Sequence, residues 1–400
     1  MFNPFTIFKV DKCIGATKQD HFLSLIWIYF MLFPTGTVFN VTVPLFLLLL
    51  CDYKQKYNRV LFPLLILIIP TLLFNVGYDY MNFKAYSRLF EIAICFFTFA
   101  CLRGRQILFP YIWFALIYII TSQICFLYNI SIISTFFDQT YNITASLLET
   151  YQIDFDVIDS SSVGVDSRLG GMYINPNNCA SYVTVLYALG LSEIRQLGSN
   201  KNLMYLFMGL VMYSFWVTGS RTSLICFGAI TLYYLYTQGY SMTKYLIIFG
   251  AVAVAIIFSN VDTNNARMLD VESGMSNSFG IKMALFWHYL THCDNPLYYV
   301  FGAGDLAASG LYHHFSGGTD CDFGNIFIVF GAIFWLLYWI MYYKMYKILI
   351  KEYRVILFTL LWVFSNSILI SYRMCPVWFL CLGLLYRRSV IIKKTGNYIV

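Results

Sequence analysis

The chain has 400 residues, 59% of them hydrophobic and only 12% charged. Ordinary soluble chains hold roughly 45–50% apolar and about 25% charged residues, so a soluble globule is excluded, and so much apolar mass also excludes disorder. The expected fold class is all-α, a polytopic integral membrane protein. A transmembrane barrel would alternate apolar and polar residues, whereas here both parities stay apolar for about 20 residues at a time.

Taken in chain order, apolar runs of bilayer length predict about twelve transmembrane helices. Their limits are 21–38, 40–51, 60–76, 88–102, 108–129, 172–192, 203–219, 221–237, 245–259, 323–343, 355–371 and 375–386. The second and twelfth are short enough to be tilted or re-entrant. The first 20 residues carry Lys9, Asp11, Lys12, Lys18 and Asp20, and no small-residue cleavage site follows the first apolar run, so no cleavable signal peptide is expected. The eleven cysteines lie mostly inside apolar runs and form no CxxC pair, which removes zinc-ribbon and thioredoxin-like readings.

Charge orients these helices. With a cytoplasmic N-terminus, 19 of the 26 Lys and Arg fall on the inner side; the other seven are Lys84, Arg88, Arg168, Arg221, Arg267, Lys282 and Arg373. The positive-inside rule therefore puts both termini in the cytoplasm. The domain organisation follows. Residues 1–129 hold the N-terminal helices, 130–171 a first long outer loop, 172–259 the central helices, 260–322 a second long outer loop, and 323–400 the C-terminal helices and tail. Loops this long are usually functional or disordered. The first holds six acidic residues against one basic, and the second seven against two, so their few arginines are the residues to explain.

Arg168 opens the stretch Arg168-Leu-Gly170-Gly171-Met-Tyr-Ile-Asn175-Pro176-Asn177-Asn178. Asn175 suits a helix N-cap and Pro176 the first helical position. Free N–H groups at that start, with an arginine just upstream, make an anion site. Capping alone would account for Asn175 and Pro176, but not for Arg168 or the glycine pair. Arg221 sits in Thr218-Gly219-Ser220-Arg221-Thr222, at the outer turn between two helices, where Ser220 can cap the second. An arginine at membrane depth is costly and points to function, against the alternative of snorkelling to headgroups. A third stretch runs from Phe301-Gly-Ala-Gly-Asp305 through His313 and His314 to Thr319-Asp320-Cys321-Asp322-Phe-Gly-Asn325, where the next helix begins.

Other features weigh less. His288 and His292 stand four apart on an interfacial helix whose apolar face is Ile281, Leu285 and Tyr289, and surface histidines are the better reading than a metal pair. Cys293 and Cys321 share an outer loop and could be bonded in an oxidising compartment. Glu91 is one turn from Arg88, as a local ion pair requires.

These stretches resemble the Wzy-type O-antigen polymerases, within the wider polymerase and ligase superfamily. RLGGMYINPNN at 168–178 is similar to the family's arginine, glycine and Asn-Pro-Asn pattern, and TGSRTSL at 218–224 to its Ser-Arg turn. FGAGD at 301–305 with TDCDFGNIFIVFG at 319–331 is similar to its glycine-rich segment and the polar start of the next helix. The resemblance covers about the C-terminal 230 residues; the first five helices match only in being apolar. Where the ligase branch carries a functional histidine, this chain reads Asp320 or Asp322, with His313 and His314 slightly upstream.

The resemblance implies a GT-C-like, inner-membrane glycosyltransferase of lipopolysaccharide biosynthesis. It would join undecaprenyl-pyrophosphate-linked repeat units on the periplasmic face, with no nucleotide sugar, cofactor, metal or nucleic acid. Its partners would be the lipid-linked oligosaccharide, the bilayer and a chain-length regulator protein. Arg168, Arg221, Asn175, Asn177, Ser220 and, more weakly, Arg267 would hold the pyrophosphate. Asp320, Asp322, His313 and His314 are the candidate bases. A flippase or other transporter for the same substrate, and an O-antigen ligase, are the alternatives. No internal repeat of the kind common in transporters is evident.

Overall fold

A computed structural model describes residues 22, 24–25, 73, 96, 100, 109–128, 170–173, 176–197, 201–239, 280–293, 295–303, 322–364 and 374–395. Among these residues all regular structure is helical and no strand occurs, in keeping with the all-α expectation. The helices are α1 Phe109–Leu127, α2 Pro176–Leu197, α3 Lys201–Thr218, α4 Arg221–Thr237, α5 Gly280–His292, α6 Pro296–Phe301, α7 Asp322–Ile348 and α8 Met374–Thr395, with 3-10 segments at Gly171–Tyr173 and Lys351–Phe364. One of them, through Phe323–Ile348, is long and apolar enough to cross a membrane by length and composition. The helices expected at 40–51 and 245–259, and all but isolated positions of those at 21–38, 60–76 and 88–102, lie outside the described residues.

The described chain falls into two compact units, one holding α1–α4 and the other α5–α8 with Phe96 and Ala100. In the first unit the helices alternate in direction. Gly190 and Tyr187 of α2 meet Phe207 of α3, while Cys179 of α2 lies beside Ser214 of α3, so these two run antiparallel. The α3–α4 turn is two residues long, and Phe215 packs edge-on against Phe227 across it. On the other side, Trp113 of α1 packs on Phe207 and Gln123 of α1 reaches Cys179, so α1 runs against α2. The ends of α1 and α3 therefore share a level with the starts of α2 and α4.

This unit buries hydroxyl and amide side chains within its apolar core and turns large apolar side chains outward. Ser122, Gln123, Ser181, Thr184, Ser214, Thr218, Ser223 and Thr231 are buried, while Phe114, Ile117, Leu206, Trp216 and Ile225 are exposed. Most of the buried hydroxyls bond back to their own helix, as Thr184 does to the Ala180 carbonyl at 2.7 Å and Thr231 to the Phe227 carbonyl at 2.6 Å. In water the outer face would be an aggregation hazard. Small and hydroxyl residues between helices, with large apolar ones facing out, are what a lipid surround favours.

The second unit has a broken helix at its centre. α7 is interrupted at Gly331, where φ is 80° and ψ 173°. The cause is the close approach of the end of α6. A Cβ on Gly331 would lie 2.2 Å from the Val300 carbonyl oxygen, and one on Gly302 the same distance from that of Val329. The Ala303 N–H donates to the Ile328 carbonyl at 2.7 Å, so a group freed by the break is recovered from outside the helix. Two positive-φ glycines thus let backbone lie directly on backbone.

The Lys351–Phe364 segment was expected as an α-helix within 355–371 and is instead a 3-10 helix. Its buried residues explain the difference. Tyr353, Ile356, Thr359 and Trp362 are all buried and recur every third residue, the period that a 3-10 helix stacks on one face. Thr359 accepts the indole N–H of Trp378 at 2.7 Å and donates to the Ile356 carbonyl, which pins this face to α8. The last helix, expected at 375–386, runs on to Thr395.

Candidate functional site

The site is built at the end of the first unit where α2 and α4 begin. Pro176 is the first residue of α2, as expected, and its fixed φ suits that place. Before it, the backbone of Gly171, at φ 55°, lies against α1. A Cβ there would be 2.5 Å from the Ser122 hydroxyl and 3.0 Å from Gln123, so only glycine fits. The short 3-10 turn that follows buries Tyr173, which stacks on Tyr182 with centroids 4.6 Å apart. The second glycine of the pair in the 168–178 stretch is thereby explained by close packing onto α1.

The second helix start is set by another glycine. Gly219 takes φ 58° and its N–H closes α3 on the Phe215 and Trp216 carbonyls, each at 3.1 Å. The chain reverses, Ser220 takes an extended conformation as N-cap, and Arg221 is the first residue of α4. Ser220 occupies the expected position, but its hydroxyl makes no capping hydrogen bond. The α4 start is therefore not closed by a hydrogen bond from the Ser220 side chain.

These two starts are aligned. The Tyr187 and Thr231 hydroxyls are hydrogen-bonded at 2.6 Å in the buried core, and Tyr187 also stacks on Phe227 at 4.8 Å. At ~1.5 Å per residue, Tyr187 is about 16 Å along α2 from Pro176, and Thr231 about 15 Å along α4 from Arg221. α2 and α4 are parallel, so their first turns come to the same level with their positive dipole ends pointing the same way. Asn177 stands in the first turn of α2 and is partly exposed. Asn177, Ser220 and the backbone start at Arg221 thus stand at the same end of the unit, from two motifs over 40 residues apart in sequence.

Beneath the two starts lies a polar layer that sequence reading passed over. The Gln123 amide N–H donates to the Cys179 sulfur at 3.5 Å, and Cys179 lies beside Ser214. Gln123 Oε1 and Ser223 Oγ are buried with no hydrogen-bond partner among the described residues. The available signal was weak, since Ser122-Gln123 is a polar pair inside an otherwise apolar run. Chemically, this end sets two helix N-termini, whose positive dipole ends attract an anion, above the buried Gln123 and Ser223 acceptors that a hydroxyl could satisfy.

The third motif lies in the other unit, where its two halves are joined through the Gly302–Gly331 contact. Asp322 is the first residue of α7, and Asn325 is buried one turn on. Phe286 of α5 packs edge-on to Phe323 and Phe327, holding this start in place. α5 itself was expected as an interfacial helix over this stretch, and Tyr289 of its predicted apolar face is buried. α6 was missed, although Asn295-Pro296 repeats the signal read at 175–176, and Asn295 Oδ1 does accept the Leu297 N–H at 3.0 Å. The His288 and His292 rings stack at 4.3 Å, and no metal-binding cluster occurs among the described residues. Cys293 is a free thiol, and Cys321, considered as its disulfide partner, lies outside the described residues. Arg168, Asn175, Arg267, His313, His314 and Asp320 lie outside the described residues.

No family model matches this chain, and no curated protein matches it.

Proposed function

We propose that this protein is an inner-membrane polysaccharide polymerase, a glycosyltransferase that joins polyprenyl-pyrophosphate-linked repeat units. One observation carries the reading: two helix starts from the arginine-bearing motifs at 168–178 and 218–224 are parallel and level in one helical unit. A diphosphate is the anion best matched to paired helix starts whose sequence motifs each carry an arginine. The large apolar side chains exposed on that unit, with hydroxyl residues buried between its helices, support the membrane setting.

In the proposed reaction the growing chain is the donor. The bond between its anomeric carbon and the pyrophosphate oxygen breaks, and the electron pair stays on the pyrophosphate. Arg168, Arg221, Asn175, Asn177 and Ser220 receive that developing charge, with Arg267 as a weaker partner. Preorganised donors at low dielectric need no metal for this. The hydroxyl of the acceptor repeat forms the new bond to the anomeric carbon and gives its proton to a base drawn from Asp320, Asp322, His313 and His314.

The test is genetic and reads the sugar product. Deleting a polymerase leaves lipid A-core capped with single repeats, whereas deleting a flippase leaves none. Single capped repeats are expected, and a bare core would overturn the proposal. A carrier for the same lipid-linked sugar is the second reading, favoured by the break in α7 at Gly331, because carriers build binding sites from discontinuous helices. A ligase would transfer the chain to the lipid core instead of to another repeat.

A further inference from the structure

The second unit gathers a strong positive charge at one end. Direct contacts define that end: the Lys393 ammonium donates to the Lys347 carbonyl at 3.0 Å, and the Ile350 N–H donates to the Ser389 hydroxyl at 3.2 Å. The end of α7, the start of the 3-10 segment and the last turns of α8 therefore lie together. Residues 344–354 and 387–394 contribute eight Lys and Arg against one acid, Glu352. Lys344, Lys347, Lys351, Lys393 and Lys394 are exposed, and Arg354 is half-buried.

Helix dipoles account for part of this. Lys393 caps a carbonyl of the last turn of α7, and the Arg354 Nε–H donates to the carbonyl of Leu349, the residue just after that helix, at 3.2 Å. They do not account for the excess. Two capping cations on one helix end already approach each other: the Lys393 ammonium is held below the usual lysine range, first by burial and then by the Arg354 charge. Lys344, Lys347 and Lys394 add exposed cations to the same end. The aromatic rings add a second element. Lys347 lies over the Tyr343 ring at 4.5 Å and Arg354 over Tyr346 at 4.2 Å, and both tyrosines are exposed, at 59% and 45%. Exposed tyrosines under cations are the side chains that settle at the headgroup level of a bilayer.

We propose that this surface is a binding site for an anionic phospholipid of the inner leaflet, with Arg354 and Lys393 receiving phosphate-diester oxygens between the ends of α7 and α8. The inference rests on the membrane-spanning reading and is independent of the transferase chemistry. A phosphate placed there lowers the mutual repulsion of the cations, and the tyrosine rings meet the glycerol and upper acyl region. A lipid with two linked phosphates, such as cardiolipin, matches two adjacent cations better than one with a single phosphate.

The experiment uses the purified full chain in a neutral detergent, read by thermal unfolding and native mass spectrometry. Cardiolipin is expected to raise the unfolding temperature in a saturable way and to remain bound in the mass spectrum. Added phosphatidylcholine should do neither, and salt should weaken the effect. Arg354→Gln/Lys393→Gln is expected to weaken cardiolipin binding about tenfold, with little change in unfolding temperature before lipid is added. Equal responses to cardiolipin and phosphatidylcholine would overturn the proposal. So would an equal response to inorganic phosphate, or an undiminished cardiolipin response in the double variant. Should that variant not fold, the wild-type comparison of the three additives still decides. A chain that stays in solution without detergent would instead refute the membrane-spanning reading itself.

Discussion

At Gly331 and Gly302, single hydrogen atoms stand where a methyl group would overlap a carbonyl oxygen at 2.2 Å. The obstacle is backbone on both sides, so no rotamer change relieves it. Gly331→Ala and Gly302→Ala are each expected to cost more than about 4 kcal/mol, well beyond an ordinary substitution. Folded yield in detergent and unfolding temperature check this. Near-normal stability of either variant would mean that the α6–α7 contact is not formed. Tyr187→Phe is a milder change. It removes the tie between α2 and α4, but Thr231 keeps its bond to the Phe227 carbonyl, so the expected loss is about 0.5–1.5 kcal/mol. Tyr289 yields a pH prediction. Burial, more than its neighbours, holds its phenol above the usual tyrosine range, and its hydroxyl donates to the Tyr298 carbonyl. The folded state then keeps a proton that the unfolded state gives up near pH ~10. Stability contributed by this group is full below that pH and is lost as pH rises through and beyond it. Tyr289→Phe should therefore lose less stability than the wild type between about pH 9 and pH 11, as unfolding curves would show.

Among the elements, the ones legible in the sequence were those whose ends are written in local chemistry. Arg221–Thr237 matches the expected 221–237, and α2 begins at Pro176 as the Asn-Pro pair requires. What could not be read was geometry imposed by neighbours. The break in α7 depends on Val300 and Gly302, about 30 residues away in sequence. The 3-10 segment shows a period of three in what is buried, but its apolar residues fall on every face, so the period is hidden in the sequence. The same held at the site. The two helix starts were found as motifs, yet their common level follows from a tyrosine–threonine bond deep in the unit, and the Gln123–Cys179–Ser214 layer has no motif at all. Thr359 gives the 3-10 face a test of its own. Thr359→Val removes the acceptor of the buried Trp378 indole and should cost about 1–3 kcal/mol, whereas Leu361→Ala on a less buried face should cost less. Equal losses in unfolding temperature would mean that the segment does not present that face.

For the molecule as a whole, the central claim is the polymerase reading, and it rests on the first unit, where the α2 and α4 starts are parallel and level. On the polymerase reading, Arg168→Ala and Arg221→Ala should each abolish polymer while the protein stays in the membrane, as immunoblotting of membranes beside a sugar gel would show. Full-length chains from either variant would remove that arginine from the reaction. The most direct measurement is reconstitution. The purified chain is placed in proteoliposomes with a synthetic polyprenyl-pyrophosphate-linked repeat, in the presence of a chelator, and the sugar is resolved by length. A ladder of products with release of polyprenyl pyrophosphate is the predicted result. Intact single repeats that cross the bilayer without being joined would contradict it.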